Sequence, residues 1–124
     1  MRRLIKLAAG LAALVSFPAV AQVAVADWVL AKWNGEPYYY PATVISIKDA
    51  SAVIRFDDGA QDTQPLAALK PYDWKAGSKL ECQRTDDSWH AAAITAIDAD
   101  GVTLDIVSDD GKAERTMTKR CRSL

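Results

Sequence analysis

The segment AKWNGEPYYYP, Ala31 to Pro41, holds one tryptophan and three tyrosines in eleven residues. Aromatics at that density either fill a core or offer their faces to a ligand. Other chemistry is sparse. His90 is the only histidine, with no second ligand at metal spacing. Cys82 with His90 has the residue types of a nucleophile and base, but reads as a disulfide cysteine and a surface histidine. No glycine-rich phosphate loop occurs. The Asp pairs at 57/58, 86/87 and 109/110 fall in turns, where Asp serves the backbone. The expectation is a non-enzymatic protein without cofactor or metal.

The N-terminus carries its own signal. Arg2, Arg3 and Lys6 precede an uncharged, Ala/Leu/Val-rich run from Leu7 to Val20. Ala19-Val20-Ala21 and Ala24-Val25-Ala26 then give small-x-small sites. This order describes a secretory signal peptide, residues 1–26, cleaved after Ala21 or Ala26. The run of about 14 residues is short of the roughly 20 needed to span a bilayer. The expected location is the periplasm or outside the cell, with no membrane association after cleavage. Removing Arg2, Arg3 and Lys6 takes the 15 basic residues to 12 against 16 acidic ones. A net charge near −4 argues against nucleic acid, which needs a dense basic surface. In an exported chain the even count of cysteines, Cys82 and Cys121, suggests a disulfide. Closing that loop stabilises by about 3–4 kcal/mol on the chain-entropy model.

Turn signals every eight to twelve residues mark the remaining chain as all-β. It is also a repeat. YYPATVISI (Tyr39–Ile47) aligns with WHAAAITAI (Trp89–Ile97), and DDG at Asp57–Gly59 with DDG at Asp109–Gly111. The divide falls in KPYDWKAG, Lys70 to Gly77. The organisation expected is a first barrel at 27–71, a linker at 72–77 and a second barrel at 78–124. Strands are expected at about Trp28–Trp33, Tyr40–Ile47, Ala52–Phe56 and Gln61–Gln64. The second copy repeats them at about Lys79–Arg84, His90–Ile97, Val102–Val107 and Ala113–Thr118. Four or five short antiparallel strands per copy make a bent sheet closing into a small barrel, without exposed edges. Cys82 in the first strand of copy two and Cys121 after its last can then be neighbours. Core candidates are Val29, Ala31, Ala42, Val44, Ile47, Val53 and Leu66. Alternation puts Ala52, Ile54 and Phe56 on one face and Val53 and Arg55 on the other. Tyr72 and Trp74 are placed to join the copies.

The first copy, VLAKWNGEPYYYPATVISI…AVIRFDDG (Val29–Gly59), resembles the Tudor fold of SH3-like barrels. It is similar above all to Tudor domains that read methylated lysine or arginine, the tandem pair of the DNA-damage checkpoint adaptor among them. The resemblance implies two tandem SH3-like barrels. It also implies an aromatic cage for a methylammonium group. The cage positions fall on Trp33, Tyr40 and Phe56, with Asp58 as acidic partner. A further aromatic often follows the hairpin glycine; here it is Ala60, a wall short. A methylated ammonium is a diffuse cation that gains about 0.5–2 kcal/mol from each well-placed π face, and Asp58 adds charge attraction. Copy two keeps only Asp110. Arg84 or Gln83 stands for Trp33, His90 for Tyr40, and Val107 or Ser108 for Phe56.

The expected function is an exported binding module. Its partner would be a protein or peptide with a methylated or cationic side chain, or a small quaternary amine. The alternative is a structural periplasmic accessory domain making protein contacts without a cage. Binding of cell-wall glycan or peptide is a third reading. Oligomeric state is left open.

Overall fold

The computed structural model describes residues 22–124. The signal-peptide expectation lies outside the described residues, apart from its last five positions. There Val23 packs against the first core, and the Ala26 amide donates to the Val44 carbonyl at 2.8 Å.

Among the described residues, ten strands form two five-stranded antiparallel sheets. The first contains β1 (Trp28–Lys32), β2 (Tyr39–Lys48), β3 (Ser51–Phe56), β4 (Gln61–Pro65) and β5 (Lys70–Pro71) in the order β4-β3-β2-β1-β5. The second contains β6 (Lys79–Gln83), β7 (Trp89–Ile97), β8 (Thr103–Ser108), β9 (Ala113–Met117) and β10 (Cys121–Arg122) in the order β10-β6-β7-β8-β9. A single 3-10 turn joins β4 to β5 (Leu66–Ala68) and β9 to β10 (Thr118–Arg120). This is the curl of an SH3-like barrel. The expected closure differs in one respect: no ladder joins β4 to β5 or β9 to β10, so each sheet keeps a seam. The outer strands QDTQP and AERTM are polar and short, which discourages pairing with other chains.

The registers repeat. Ala42 faces Phe56 and Val44 faces Ile54, with a bulge before Ser46. Ala92 faces Ser108 and Ile94 faces Ile106, with a bulge before Ala96. The bulge bends the long strand at the same place in each sheet. Both Asp-Asp-Gly hairpins place glycine at positive φ, Gly59 at 99° and Gly111 at 87°, where a side chain would be strained.

Alternation builds the cores. Val29, Ala31, Ala42, Val44, Ala52, Ile54 and Phe56 form the first, with Ile47 and Leu66 packed at its margin. Val53 is a correction. It is only half-buried and lies on the outer face opposite Thr63, because its neighbours Ala52 and Ile54 take the inner one. Leu30 points the other way along β1. At 1% exposure it joins the second core with Leu80, Ile94, Leu104 and Ile106. A strand buried on both faces must serve two cores, so β1 welds the halves together. Tyr72 and Trp74 are buried in the same second core. The Tyr72 ring meets Trp28 edge-on at 5.1 Å and Trp74 at 5.6 Å. Burying such rings contributes about 2–3 kcal/mol each.

The disulfide joins Cys82 and Cys121, which face each other across β6 and β10. Beyond it, Ser123 reaches the first sheet: Tyr39 and Ser123 exchange backbone hydrogen bonds at 2.6 and 3.0 Å.

Candidate functional site

The register settles which residues of the halves correspond. Lys32 faces Tyr39 at the end of β1, and Gln83 faces Trp89 at the end of β6. Trp33 therefore corresponds to Arg84, Tyr40 to His90 and, from the β2–β3 register, Phe56 to Ser108.

Trp33 follows β1, Tyr40 lies near the start of β2, Phe56 ends β3, and Asp58 sits in the next hairpin. The fold brings all four to one end of the first sheet, around a cleft of about 210 Å3. Trp33 meets Phe56 edge-on at 5.4 Å between ring centroids, and Tyr40 meets Phe56 edge-on at 6.5 Å. Phe56 is only 4% exposed, whereas Trp33 is 38% exposed. Phe56 is thus the floor and Trp33 an open wall. Asp58 is held in place by the Ala60 amide, which donates to Oδ1 at 3.0 Å.

The sequence reading missed Trp89. This β7 side chain lines the same cleft, and its ring lies 6.4 Å from Tyr40 at a steep 73°. The second half supplies a fourth aromatic where Ala60 leaves the first half short. Trp89 aligns with Tyr39, not with a cage position, so the repeat gave no sign of it. Only the docking of the two sheets brings it there.

Trp89 is held by Arg122. The guanidinium carbon sits 3.8 Å from the Trp89 ring centroid and 3.7 Å from that of Tyr38. Its Nε donates to Glu81 at 2.9 Å and its Nη1 to the Tyr40 hydroxyl at 3.3 Å. Burial works against the Arg122 charge, but the bonds to Tyr40 and Glu81 outweigh it and the pKa is raised. The Tyr40 hydroxyl donates in turn to Glu36 at 2.7 Å. Burial chiefly raises its pKa, so Tyr40 stays a neutral phenol.

Asp57 ties the cleft to the second sheet. The Thr118 hydroxyl, in a residue 1% exposed, donates to Asp57 Oδ2 at 2.5 Å. Asp57 is exposed as a residue, but its carboxylate lies against Thr118. Desolvation there raises its pKa, the Thr118 hydrogen bond lowers it, and the neighbouring Asp58 charge raises it. Lys119 follows Thr118 and also lines the cleft.

His90 faces the disulfide cysteine Cys82 across β6 and β7, and a thiol held in a disulfide cannot act as a nucleophile. Its Nε2 lies 2.9 Å from the Ser88 hydroxyl, away from the cleft lining.

No curated relative matches the chain. Residues 25–70 match the family described as the DNA repair protein Crb2 Tudor domain. Among solved structures, Arabidopsis thaliana AGDP1 AGD34 is 12% identical, with a TM-score of 0.39 and 81% of each chain covered. The tandem Agenet domain 3-4 of ADCP1 is 12% identical, with a TM-score of 0.37, covering 81% of this chain and 79% of its own. The family match runs from just before β1 to the first residue of β5, so the first sheet is similar to a Tudor domain, and the second sheet repeats its register.

Proposed function

We propose that this protein is an exported, non-enzymatic binding module whose cleft takes a methylated or otherwise cationic ammonium group. The group is carried on a peptide side chain or a small quaternary amine. The observation that carries this reading is the convergence of Trp33, Tyr40, Phe56 and Trp89 on one cleft beside Asp57 and Asp58. A weakly hydrated cation gains about 0.5–2 kcal/mol from each aromatic face it reaches, and an adjacent carboxylate adds to that. Export rests on the N-terminal charge and apolar pattern. Val23 packing and the Ala26–Val44 bond favour cleavage after Ala21, which keeps both.

Titration with trimethyllysine or choline tests the reading. Saturable quenching of tryptophan fluorescence at millimolar ligand, abolished by Trp33→Ala, supports it. A flat titration sinks it.

The accessory-domain reading has one observation of its own. Trp33 and Tyr40 both meet Phe56 edge-on, an arrangement that serves packing as well as recognition. That reading expects a periplasmic partner whose capture survives Trp33→Ala.

A further inference from the structure

The cleft carries both signs of charge. Asp57 and Asp58 lie on its first-sheet side, and Lys119 lines it from the 3-10 turn of the second sheet. Lys119 is exposed and follows Thr118, whose hydroxyl reaches Asp57. Yet its ammonium forms no ion pair or hydrogen bond among the described residues. The second half's arginines at this end, by contrast, are engaged. Arg84 bonds Asp110 at 2.8 Å, Arg120 donates to the Arg84 carbonyl at 2.5 Å, and Arg122 is held by Tyr40, Glu81 and two rings.

A bare cation entering the cleft is attracted by the carboxylates and repelled by Lys119, so those contributions oppose each other. A ligand with an anionic group a few bonds from its ammonium gains from both. Its methylated end meets the rings and Asp58, and its anionic end meets Lys119.

We infer that the ligand of this cleft is a zwitterion, with a methylated ammonium recognised by the aromatics and a nearby phosphate or carboxylate recognised by Lys119. This rests on the ammonium-binding reading above and names the ligand class for the same site.

Calorimetric titration with choline and phosphocholine, which share one head group, tests it at about pH 8, where the phosphate is fully charged. Glycine betaine extends the test to a carboxylate. Phosphocholine is expected to bind about three- to fivefold more tightly than choline, the size of a partly exposed ion pair. The preference should disappear in Lys119→Met and persist in Lys119→Arg. Equal binding of the two ligands, or a preference unchanged in Lys119→Met, overturns the inference while leaving ammonium binding intact. Absence of binding by choline, phosphocholine and betaine alike overturns the ammonium reading and this inference with it. Co-sedimentation with phosphatidylcholine vesicles, against binding of soluble phosphocholine, separates a lipid head group from a free ligand. Either supports the zwitterion.

Discussion

The same end of the same sheet is built twice in this molecule with different chemistry. In the first half, Trp33 and Phe56 stack edge-on beside Asp58. In the second, Arg84 and Ser108 occupy those positions and make polar contacts instead. Arg84 Nη2 donates to Asp110 at 2.8 Å, and the Ser108 hydroxyl donates to Glu114 at 2.6 Å. The Asp of the hairpin is kept in both, with opposite employment. Asp110 is held by Arg84 and the Lys112 amide, which lower its pKa. Asp58 has only the Ala60 amide among its hydrogen-bond donors and is left facing the cleft. One backbone thus supports an aromatic end or an ionic one, and three side chains decide which.

A second contrast lies at the closing strand. Lys70 sits 4.3 Å from the Tyr39 ring centroid, and Arg122 sits 3.8 Å from that of Trp89. These are matching positions by register. One step along, the first half has Ala31 and Leu69 packed in its core, where the second has the disulfide. The second core also borrows Leu30, Tyr72 and Trp74 from the first half, and the cleft of the first borrows Trp89 in return.

The largest expected effect tests the reliance on the disulfide. Removing it by Cys82→Ala with Cys121→Ala should cost about 3–4 kcal/mol, measured by denaturant unfolding. If reductant shifts the wild-type midpoint by nothing, the crosslink is not what holds β10. Next comes the borrowed wall. Trp89→Ala should weaken choline binding about tenfold, one well-placed face, with far-UV circular dichroism confirming the fold. An unchanged Kd would show that the first half binds alone.

A smaller effect concerns Asp57. Asp57→Ala leaves the buried Thr118 hydroxyl without its acceptor and should cost about 1–2 kcal/mol, whereas Asp57→Asn keeps an acceptor and should cost less. The raised pKa of Asp57 means that its ionised form is disfavoured on folding. That penalty is present above the folded pKa and is relieved as pH falls through it. The difference in Tm between Asp57→Asn and wild type should therefore move toward the wild type on acidification. A constant difference would contradict this. The smallest effect is expected at the ionic end. Arg84→Ala removes an exposed ion pair and should leave Tm nearly unchanged, with any change vanishing at high salt.

Much of this was legible in the residues. Period-2 alternation in AVIRF gave the inner face of β3, since successive side chains must oppose each other. Asp-Gly at both hairpins gave the turns, because positive φ is local chemistry. The cage positions Trp33, Tyr40, Phe56 and Asp58 came from the Tudor resemblance, and the fold does bring those side chains around one cleft. Val53 was misread as core on hydrophobicity alone, although alternation sets it with Arg55 on the outer face. Leu30 was missed as a second-core residue because a strand facing two cores looks, in sequence, like one fully buried strand.

The sequence by itself determined the strands, the turns, the repeat and the cysteine pair. Each follows from local backbone preference or from counting. Only the tertiary structure decided that Trp89 joins the cleft, that Arg122 lies over the Trp89 and Tyr38 rings, and that Lys119 lines the cleft together with two carboxylates. Those placements depend on how one sheet docks on the other. That docking is set by burial of Leu30, Tyr72 and Trp74, which is non-directional and leaves no motif among the residues it brings together.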